Sequence, residues 1–326
     1  MPIYNPLQPG DEIRVIAPSS SKRTSQKRQY ERAQERFEAL GYKVSFGNSV
    51  GRTFHQGTAR AEDRARDFNE AYADKNVKAV MAMHGGWAAN EILPLIDWES
   101  VGANPKPLIG FSDITVLLNA IYAKTGIITY LGPNFASVGY MRSWQYTIHS
   151  LNAALRGEAQ ELMASKVWGV GKERKGHRTK PWKVLQAGTA KATLLGGNAG
   201  TLYLLQGTEY QPSFASDFIV AFEDDDMSGR QTACEFSRRL ESLLQIPNVR
   251  DHLQGVLIGR FQPESKFSNR ELESIIASKK LRNMPVISGV DFGHTLPMLT
   301  LPIGGTIRIE AETNKRPIIT ATTTQG

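Results

Sequence analysis

The chain has 326 residues, 40% of them hydrophobic and 22% charged, and a formal net charge of +7. This length exceeds the size at which single cores usually stop growing, so we expect two domains. No apolar run of about 18 residues and no signal-peptide pattern occurs, which predicts a soluble, cytoplasmic protein without a membrane partner. A single cysteine excludes an internal disulfide framework and a cysteine-rich metal site, and the amphipathic pattern around Cys234 predicts a packed thiol.

In the first half of the chain, strands and helices alternate. The pattern predicts helices at 26–40, at 59–74 and around "AANEILPLI", and strands at "DEIRVIAP", "KVSFG", "VKAVMAMHGG" and "PLIGF". The basic residues of 21–38 are typical of the solvated face of a helix, and no nucleic-acid motif accompanies them, so no nucleic-acid partner is expected. Such alternation predicts a parallel sheet covered on both faces, with ligands at the carboxyl ends of its strands.

The second half begins after a break in this pattern. A segment rich in glycine and cations, from about 157 to 190, is predicted to be a linker or loop. Beyond it, strands are predicted at "KATLLGG", "FIVAFED", "GVLIGRF" and "PVISGV", helices near 232–245 and 269–280, and a hairpin in "LTLPIGGTIRIEAE". The predicted fold class is therefore α/β, with an N-terminal domain at 1–160, a linker at 161–190 and a C-terminal domain at 191–326.

The stretch "PLIGFSDITVLLNAIY" changes from strand to helix at Ser112 and Asp113. A serine in such a turn projects from the backbone, and the helix N-terminus behind it offers N–H groups to a developing oxyanion. The match to the G-x-S-x-G pattern is incomplete, because Ile114 replaces the second glycine. The alternative is that Ser112 only caps the helix, with Asp113 favoured by the helix dipole.

A nucleophilic serine needs a base, and the base needs an acceptor that orients it. His294 follows a buried strand and a glycine, and the alternative is a structural histidine. Gly85 and Gly86 allow the backbone to approach a ligand and are candidates for the oxyanion donors. Glu223 lies where an apolar strand emerges and could hold the imidazole. The acidic run 223–226 could instead bind a divalent cation or form a solvated turn; we prefer the orienting role, since no EF-hand spacing accompanies it.

Together these motifs resemble one family, the LD-carboxypeptidases and microcin C immunity (MccF-like) peptidases, which are serine peptidases with a Ser-Glu-His triad. The resemblance covers nearly the whole chain and rests on "GFSDIT", "HGGW", "LLGGNAGTLYLLQGTEY", "FED" and "VDFGHTLPMLTLPIG". It implies that Ser112 is the nucleophile, His294 the general base and acid, and Glu223 the orienting carboxylate. It also implies an oxyanion hole formed by the N–H groups of Gly86 and Asp113.

The family resemblance further implies a flavodoxin-like N-terminal domain, a β-rich C-terminal domain, a triad at their junction, a homodimer, and no metal or organic cofactor. "GGN" at 196–198 and "DFGHT" are closer to the MccF-like branch, in which an aromatic loop can stack on a nucleotide base. Gly85, Trp182, Asn198 and Arg230 are the substrate-binding residues expected on this basis. For Trp182 the alternative is that it packs the linker onto a domain.

One position departs from that branch. Met227 lies where a lysine is expected four residues after the glutamate, so the acyl-side specificity is open, and Arg230 is the candidate substitute. The predicted function is hydrolysis of peptidyl or aminoacyl adenylates through an acyl-enzyme, as in microcin C resistance. The alternatives are a murein LD-carboxypeptidase that releases terminal D-alanine, a metal-dependent hydrolase, and a non-catalytic peptide- or nucleotide-binding protein.

Overall fold

The structure is a computed structural model that describes residues 4–21, 24–140, 143–171 and 176–323. Its strands are β1 (Glu12–Ile16), β2 (Lys43–Phe46), β3 (Val77–Ala82), β4 (Leu108–Gly110), β5 (Thr129–Leu131), β6 (Gln160–Glu161), β7 (Val167–Trp168), β8 (His177–Arg178), β9 (Lys183–Gln186), β10 (Gly188–Asn198), β11 (Phe218–Glu223), β12 (Leu253–Gly259), β13 (Val286–Val290), β14 (Leu301–Ile303), β15 (Thr306–Ala311) and β16 (Ile318–Thr322). Its α-helices are α1 (Lys27–Ala39), α2 (Ala61–Ala73), α3 (Trp98–Ala103), α4 (Thr115–Thr125), α5 (Phe135–Val138), α6 (Trp144–Leu155), α7 (Ala199–Tyr203), α8 (Thr232–Leu244), α9 (Val249–His252) and α10 (Asn269–Ser278).

The first sheet has six strands in the order β14-β5-β4-β3-β1-β2. Strands β1 to β5 pair in parallel, and β14 adds one antiparallel edge. Apolar side chains of α1, α5 and α6 cover one face of this sheet, and those of α2 and α4 cover the other. This confirms the predicted parallel sheet with two covered faces, which places the strand ends of β1, β3 and β4 side by side.

The second sheet has eight strands in the order β6-β16-β15-β10-β11-β12-β13-β9. Strands β10 to β13 are parallel, and antiparallel strands flank them on both sides. The predicted α/β fold class, with a parallel first sheet and a β-rich second unit, is confirmed. Strand β9 comes from the segment expected to be a linker, so part of 161–190 belongs to this sheet. The boundaries at 160 and 190 stay predictions.

Two expectations from the sequence are wrong. The residues 299–312 do not form a hairpin, because β14 pairs with β5 in the first sheet whereas β15 pairs with β10 in the second. The turn at Gly304, where φ is +86°, carries the chain from one sheet to the other. Local alternation of apolar residues marks both strands but does not say which sheet each one joins. Cys234 is exposed on α8 rather than packed. Within the described ranges, no helix is long and apolar enough to cross a membrane.

Candidate active site

Ser112 lies on a sharp turn between β4 and α4. Its φ is +63°, in the left-handed region that residues other than glycine rarely adopt. A Cβ on Gly110 would lie 2.8 Å from the side chain of Ile114 and 2.9 Å from Asn134 Oδ1, so this position needs glycine. Phe111 and Ile114 occupy the N-cap positions of the 3₁₀ turn at 112–114 and of α4, and neither side chain makes a capping hydrogen bond. Ser112 is therefore not the N-cap of α4.

Three side chains form one hydrogen-bonded chain across the junction of the two sheets. Ser112 Oγ lies 3.0 Å from His294 Nε2, and His294 Nδ1 lies 2.8 Å from Glu223 Oε2. Ser112 follows β4 of the first sheet, Glu223 ends β11 of the second, and His294 follows β13. The distances are those of a nucleophile, a base and an orienting acceptor. The fold thus brings together the three residues that the sequence singled out.

Glycines leave the space that the Glu223 carboxylate occupies. A Cβ on Gly293, whose φ is +90°, would lie 2.4 Å from Glu223 Oε2. A Cβ on Gly259 would lie 2.6 Å from Glu223 Cβ. Glu223 is fully buried, which protects its bond to the imidazole from water. The glycine before His294 is therefore needed for the close approach of the two side chains.

The charge of Glu223 controls the proton affinity of His294. Burial alone would lower the pKa of His294, but the negative charge and hydrogen bond of Glu223 outweigh burial. With smaller contributions from Asp225 and Asp224, they raise the pKa of His294 to about 9. Burial also raises the pKa of Asp224 to about 7, although Arg239 acts in the opposite direction. Glu223 thus stabilises the protonated form of His294, which is the form that a general base adopts during acyl transfer.

A glycine turn, residues 85–89, lies directly beside the nucleophile. A Cβ on Gly85 would lie 2.8 Å from Ser112 Cβ, and one on Gly86 would lie 2.4 Å from the hydroxyls of Ser19 and Ser20. Only glycine fits either position, and Gly86 has a φ of +154°. The backbone at Gly85 therefore packs directly against Ser112, and the absence of a side chain at Gly85 and Gly86 makes this close packing possible. The oxyanion roles of Gly86 and Asp113 stay predictions.

A cavity of about 330 Å³ opens beside Ser112 and His294. Its walls include several residues that the sequence did not point to, among them Trp87 and Gln262. Trp87 is 63% exposed and directly follows the glycine pair, a strand-end position that could have pointed to it. Gln262 follows β12 without a comparable motif. His84 also lines the cavity, with Nε2 2.8 Å from the hydroxyl of Tyr30.

The four predicted substrate-binding residues are not all at this cavity. Gly85 lines it, but Trp182 does not. Trp182 is 6% exposed and donates its indole N–H to Asp291 Oδ2 at 2.9 Å. This placement agrees with the alternative, in which Trp182 packs the linker onto a domain. A second tryptophan of the same segment, Trp168, lies in another cavity, with its ring 4.6 Å from that of His177.

Asn198 and Arg230 also lie outside the cavity lining. Asn198 is buried, and its Oδ1 caps α7 by accepting the N–H of Thr201 at 3.0 Å. Arg230 is exposed in the turn before α8, and Met227 is 67% exposed nearby. Asn198 thus caps a helix and Arg230 lies in a surface turn, and the substrate-binding roles of both residues stay predictions.

The acidic run at 223–226 is divided among separate partners. Glu223 binds His294, Asp224 accepts a hydrogen bond from Arg239 at 2.5 Å, and Asp225 accepts the N–H of Met227 at 2.9 Å. In the part of the chain that the structure describes, no three His, Cys, Asp or Glu side chains converge as metal ligands would. The directions of these carboxylates favour the orienting role of Glu223 over a shared cation site.

Comparison with known proteins gives matches to both parts of the chain. Residues 13–132 match the family described as the LD-carboxypeptidase N-terminal domain, and residues 191–309 match the LD-carboxypeptidase C-terminal domain. A putative carboxypeptidase of Treponema pallidum is 40% identical, covering 94% of this chain and 91% of its own. The microcin C7 self-immunity protein MccF of Escherichia coli is 28% identical, covering 97% and 94%. A probable murein peptide carboxypeptidase of Bacillus subtilis is 26% identical, covering 99% and 96%.

Solved structures show the same similarity over the full length. An MccF-like protein of Bacillus anthracis has a TM-score of 0.95 and 35% identity, covering 98% of this chain and 99% of its own. MccF in complex with aspartyl sulfamoyl adenosine has a TM-score of 0.86 and 28% identity, covering 99% and 98%. Both sheets and the junction between them are therefore shared with these proteins.

Proposed function

Because the chain belongs to the LD-carboxypeptidase family and is a serine carboxypeptidase-type hydrolase, we propose that Ser112, His294 and Glu223 form its catalytic triad. The observation that carries this proposal is the continuous hydrogen-bonded chain from Ser112 Oγ through both ring nitrogens of His294 to Glu223. Each residue lies in a backbone setting that explains its position: a strained turn, a glycine-flanked loop and the end of a buried strand.

The geometry supports acyl transfer through a covalent intermediate. His294 Nε2 takes the proton of Ser112 Oγ as the oxygen attacks the carbonyl carbon of the scissile amide. The resulting oxyanion accepts hydrogen bonds from the N–H groups of Gly86 and Asp113, and His294 then protonates the leaving nitrogen. Water, deprotonated by His294, hydrolyses the acyl ester and restores Ser112. Glu223 keeps the imidazole oriented through Nδ1 and stabilises its protonated form.

For the substrate, we propose aminoacyl or peptidyl nucleotides in which an amide-type bond joins the acyl group to the nucleotide. The support is similarity to MccF, whose solved complex contains aspartyl sulfamoyl adenosine, and to an MccF-like protein with a TM-score of 0.95. A second candidate, a murein peptide ending in D-alanine, is supported by the similar murein peptide carboxypeptidase of Bacillus subtilis. Both substrates place a carbonyl carbon next to a nitrogen leaving group, which the same chemistry cleaves.

A paired hydrolysis assay separates these candidates. Wild type and Ser112→Ala are each incubated with aspartyl sulfamoyl adenosine and with a murein tetrapeptide ending in D-alanine. The products are identified and quantified by mass spectrometry. We expect release of aspartate from the adenosine compound and a loss on the order of 10⁴-fold or more in Ser112→Ala, because triad members act as a unit.

The other outcomes are equally informative. Cleavage of the tetrapeptide alone would assign the protein to murein hydrolysis. Retention of activity in Ser112→Ala would contradict the triad, and cleavage of neither compound, together with no labelling by a fluorophosphonate, would favour a non-catalytic binding protein. Thermal stabilisation by either compound would then identify the bound class.

We also propose a homodimeric assembly, which the family resemblance supports, and a cytoplasmic location, which is the expectation from the sequence pattern. Sedimentation equilibrium tests the first, since a monomeric mass at micromolar concentration would contradict it. Cell fractionation with an antibody against the chain tests the second.

A further inference from the structure

An arginine is fully buried behind the glycine turn. Arg64 of α2 has no exposed surface, and Nε donates to the carbonyl of Ala59 at 3.0 Å. Nη1 donates to the carbonyls of Pro18 at 2.7 Å and Ala88 at 2.8 Å, and Nη2 pairs with Glu91. Burying a guanidinium is costly unless it is fully hydrogen-bonded. The Arg64 guanidinium joins the segment after β1 and the segment after β3 to the residues just before α2.

A buried carboxylate meets the same segment from the opposite side. Asp113, 3% exposed, follows the nucleophile, and its Oδ2 accepts the N–H groups of Ala88 and Ala89 at 2.8 Å each. The same oxygen accepts the hydroxyl of Ser19 at 2.5 Å. The peptide unit between Ala88 and Ala89 is therefore held at both ends: its carbonyl by Arg64 and its N–H by Asp113. Charge-assisted bonds of this kind are stronger than neutral ones, above all when buried.

This fixed peptide lies two residues beyond Gly86. The N–H of Ser20 donates to the carbonyl of Gly85 at 3.1 Å, and the two serine hydroxyls of Ser19 and Ser20 fill the space beside Gly86. The glycine turn and the segment after β1 are consequently one packed unit, and Arg64 binds both of its parts. Ser112 packs directly against this unit at Gly85, where an added Cβ would lie 2.8 Å from Ser112 Cβ.

We propose that Arg64 is a positioning residue for the reaction: through the peptide between Ala88 and Ala89, it fixes the glycine turn relative to Ser112 before substrate binds. The inference rests on the proposed function, in which the Gly86 N–H stabilises the oxyanion. Donors of this kind act on the transition state more than on the bound substrate, so their displacement lowers the rate of the chemical step. Shifts of about 1 Å at such a site can cost 10²-fold.

The test substitutes Arg64→Lys, which keeps the charge but cannot reproduce the fork of donors. A fluorophosphonate probe forms an oxygen–phosphorus bond with Ser112 and expels fluoride while His294 takes the proton, so labelling reports the chemical step without a known substrate. We expect the maximal labelling rate to fall about 10- to 100-fold, with the half-saturating probe concentration changed less than about threefold. The pH midpoint of labelling should not move, since the contacts of His294 are untouched.

The matched control is Arg66→Lys, the same substitution two residues along α2. Arg66 is 59% exposed and pairs with Asp63 on the helix surface, so its labelling rate should stay within about twofold. If Arg64→Lys does not fold, as judged by circular dichroism and thermal unfolding, Glu91→Gln replaces it. Glu91 is 57% exposed, and its substitution removes only the outer charged partner of Arg64. We therefore expect the maximal labelling rate to fall about two- to tenfold.

The results separate this inference from the proposed function. A folded Arg64→Lys with the wild-type labelling rate, or with only a weaker affinity for the probe, would overturn the positioning role while leaving the triad intact. Wild-type protein that labels no faster than Ser112→Ala would overturn both. A slower maximal rate with an unchanged pH midpoint, absent in Arg66→Lys, would establish the role.

Discussion

At the scale of single residues, Ser112 adopts a conformation that its neighbours make possible. Its positive φ costs free energy in an L-residue, and such strain persists only where the surroundings impose it. The departure from G-x-S-x-G has a physical explanation in the same place. Ile114 is fully buried, and its side chain fills the space that a Cβ on Gly110 would need. One glycine therefore suffices here, because the branched side chain and the missing Cβ complement each other.

The raised pKa of His294 predicts how activity depends on pH. A general base must be neutral, and with a pKa of about 9 most of the free protein carries an imidazolium at pH 7. We expect kcat/KM to rise with pH between 6 and 8, close to tenfold per unit, and to level off near 9. The measurement is the pH profile of kcat/KM, which reports the free protein, for whichever compound the hydrolysis assay identifies.

Glu223→Gln tests whether the Glu223 carboxylate causes the raised pKa of His294. Removing the negative charge leaves burial, which lowers the pKa of His294, so the midpoint should move to lower pH while the plateau rate falls. Asp225→Asn is the control, because Asp225 contributes less to the pKa and makes no bond to the ring. A wild-type profile that is flat between pH 6 and 8 would show that His294 does not carry the raised pKa, or does not act as the base.

At the scale of elements, the end of β10 holds the nucleophile helix. Asn119 of α4 bonds both the carbonyl and the N–H of Gly196, at 2.9 and 3.0 Å. The N–H of Asn198 donates to Thr115 Oγ1 at 3.0 Å, one turn from the nucleophile. The "GGN" motif, which the sequence reasoning connected with substrate, therefore joins the second sheet to α4. Such a role depends on contacts between distant segments, and no local pattern contains it.

Gly197→Ala tests this junction. Gly197 has a φ of +136°, and a Cβ there would lie 2.6 Å from Thr115 Oγ1, so the substitution must push β10 away from α4. We expect the free energy of unfolding to fall by about 2–4 kcal/mol and activity to fall at least about tenfold. Chemical denaturation and the hydrolysis assay measure the two effects.

Gly207→Ala is the matched control for backbone strain. Its φ is +77°, but no atom lies within 4 Å of the added Cβ. The free energy of unfolding of this variant should fall by about 1–2 kcal/mol, and its activity should be unchanged. Equal losses of activity in the two variants would mean that strain, and not the contact with Thr115, disturbs the site.

At the scale of the whole molecule, the sequence predicts the elements better than their partners. Alternation of apolar strands and amphipathic helices predicts the first sheet, because each βαβ unit is local. Ser112, Glu223 and His294 could be singled out from the sequence for a similar reason, since each lies close to a strand end that its own motif marks. The partner of β14 was predicted wrongly, and for Trp182 the sequence left two alternatives open, because both depend on residues more than a hundred positions away. Long-range pairing leaves no periodic signal in the chain.

That long-range pairing predicts that the two sheets unfold together. Strand β14 comes from the second half of the chain but forms an edge of the first sheet, where Leu301 is fully buried. One continuous core includes side chains of both sheets, such as Leu131 and Leu194. Neither half can therefore complete its core without the other, and a loss in one should weaken both.

Leu301→Ala, measured by native-state hydrogen exchange, decides whether this coupling holds. Truncating a buried leucine costs about 2–5 kcal/mol, and a single cooperative unit should lose the same opening free energy at the amides of β3 and β11. Ile318→Ala is the control, because Ile318 is 46% exposed on β16. This substitution should lower the opening free energy by less than about 1 kcal/mol in β3 and in β11. A loss confined to β3 would mean that the sheets open separately. The hydrogen-bonded chain from Ser112 to Glu223 would then break by local opening, since its members are divided between the two sheets.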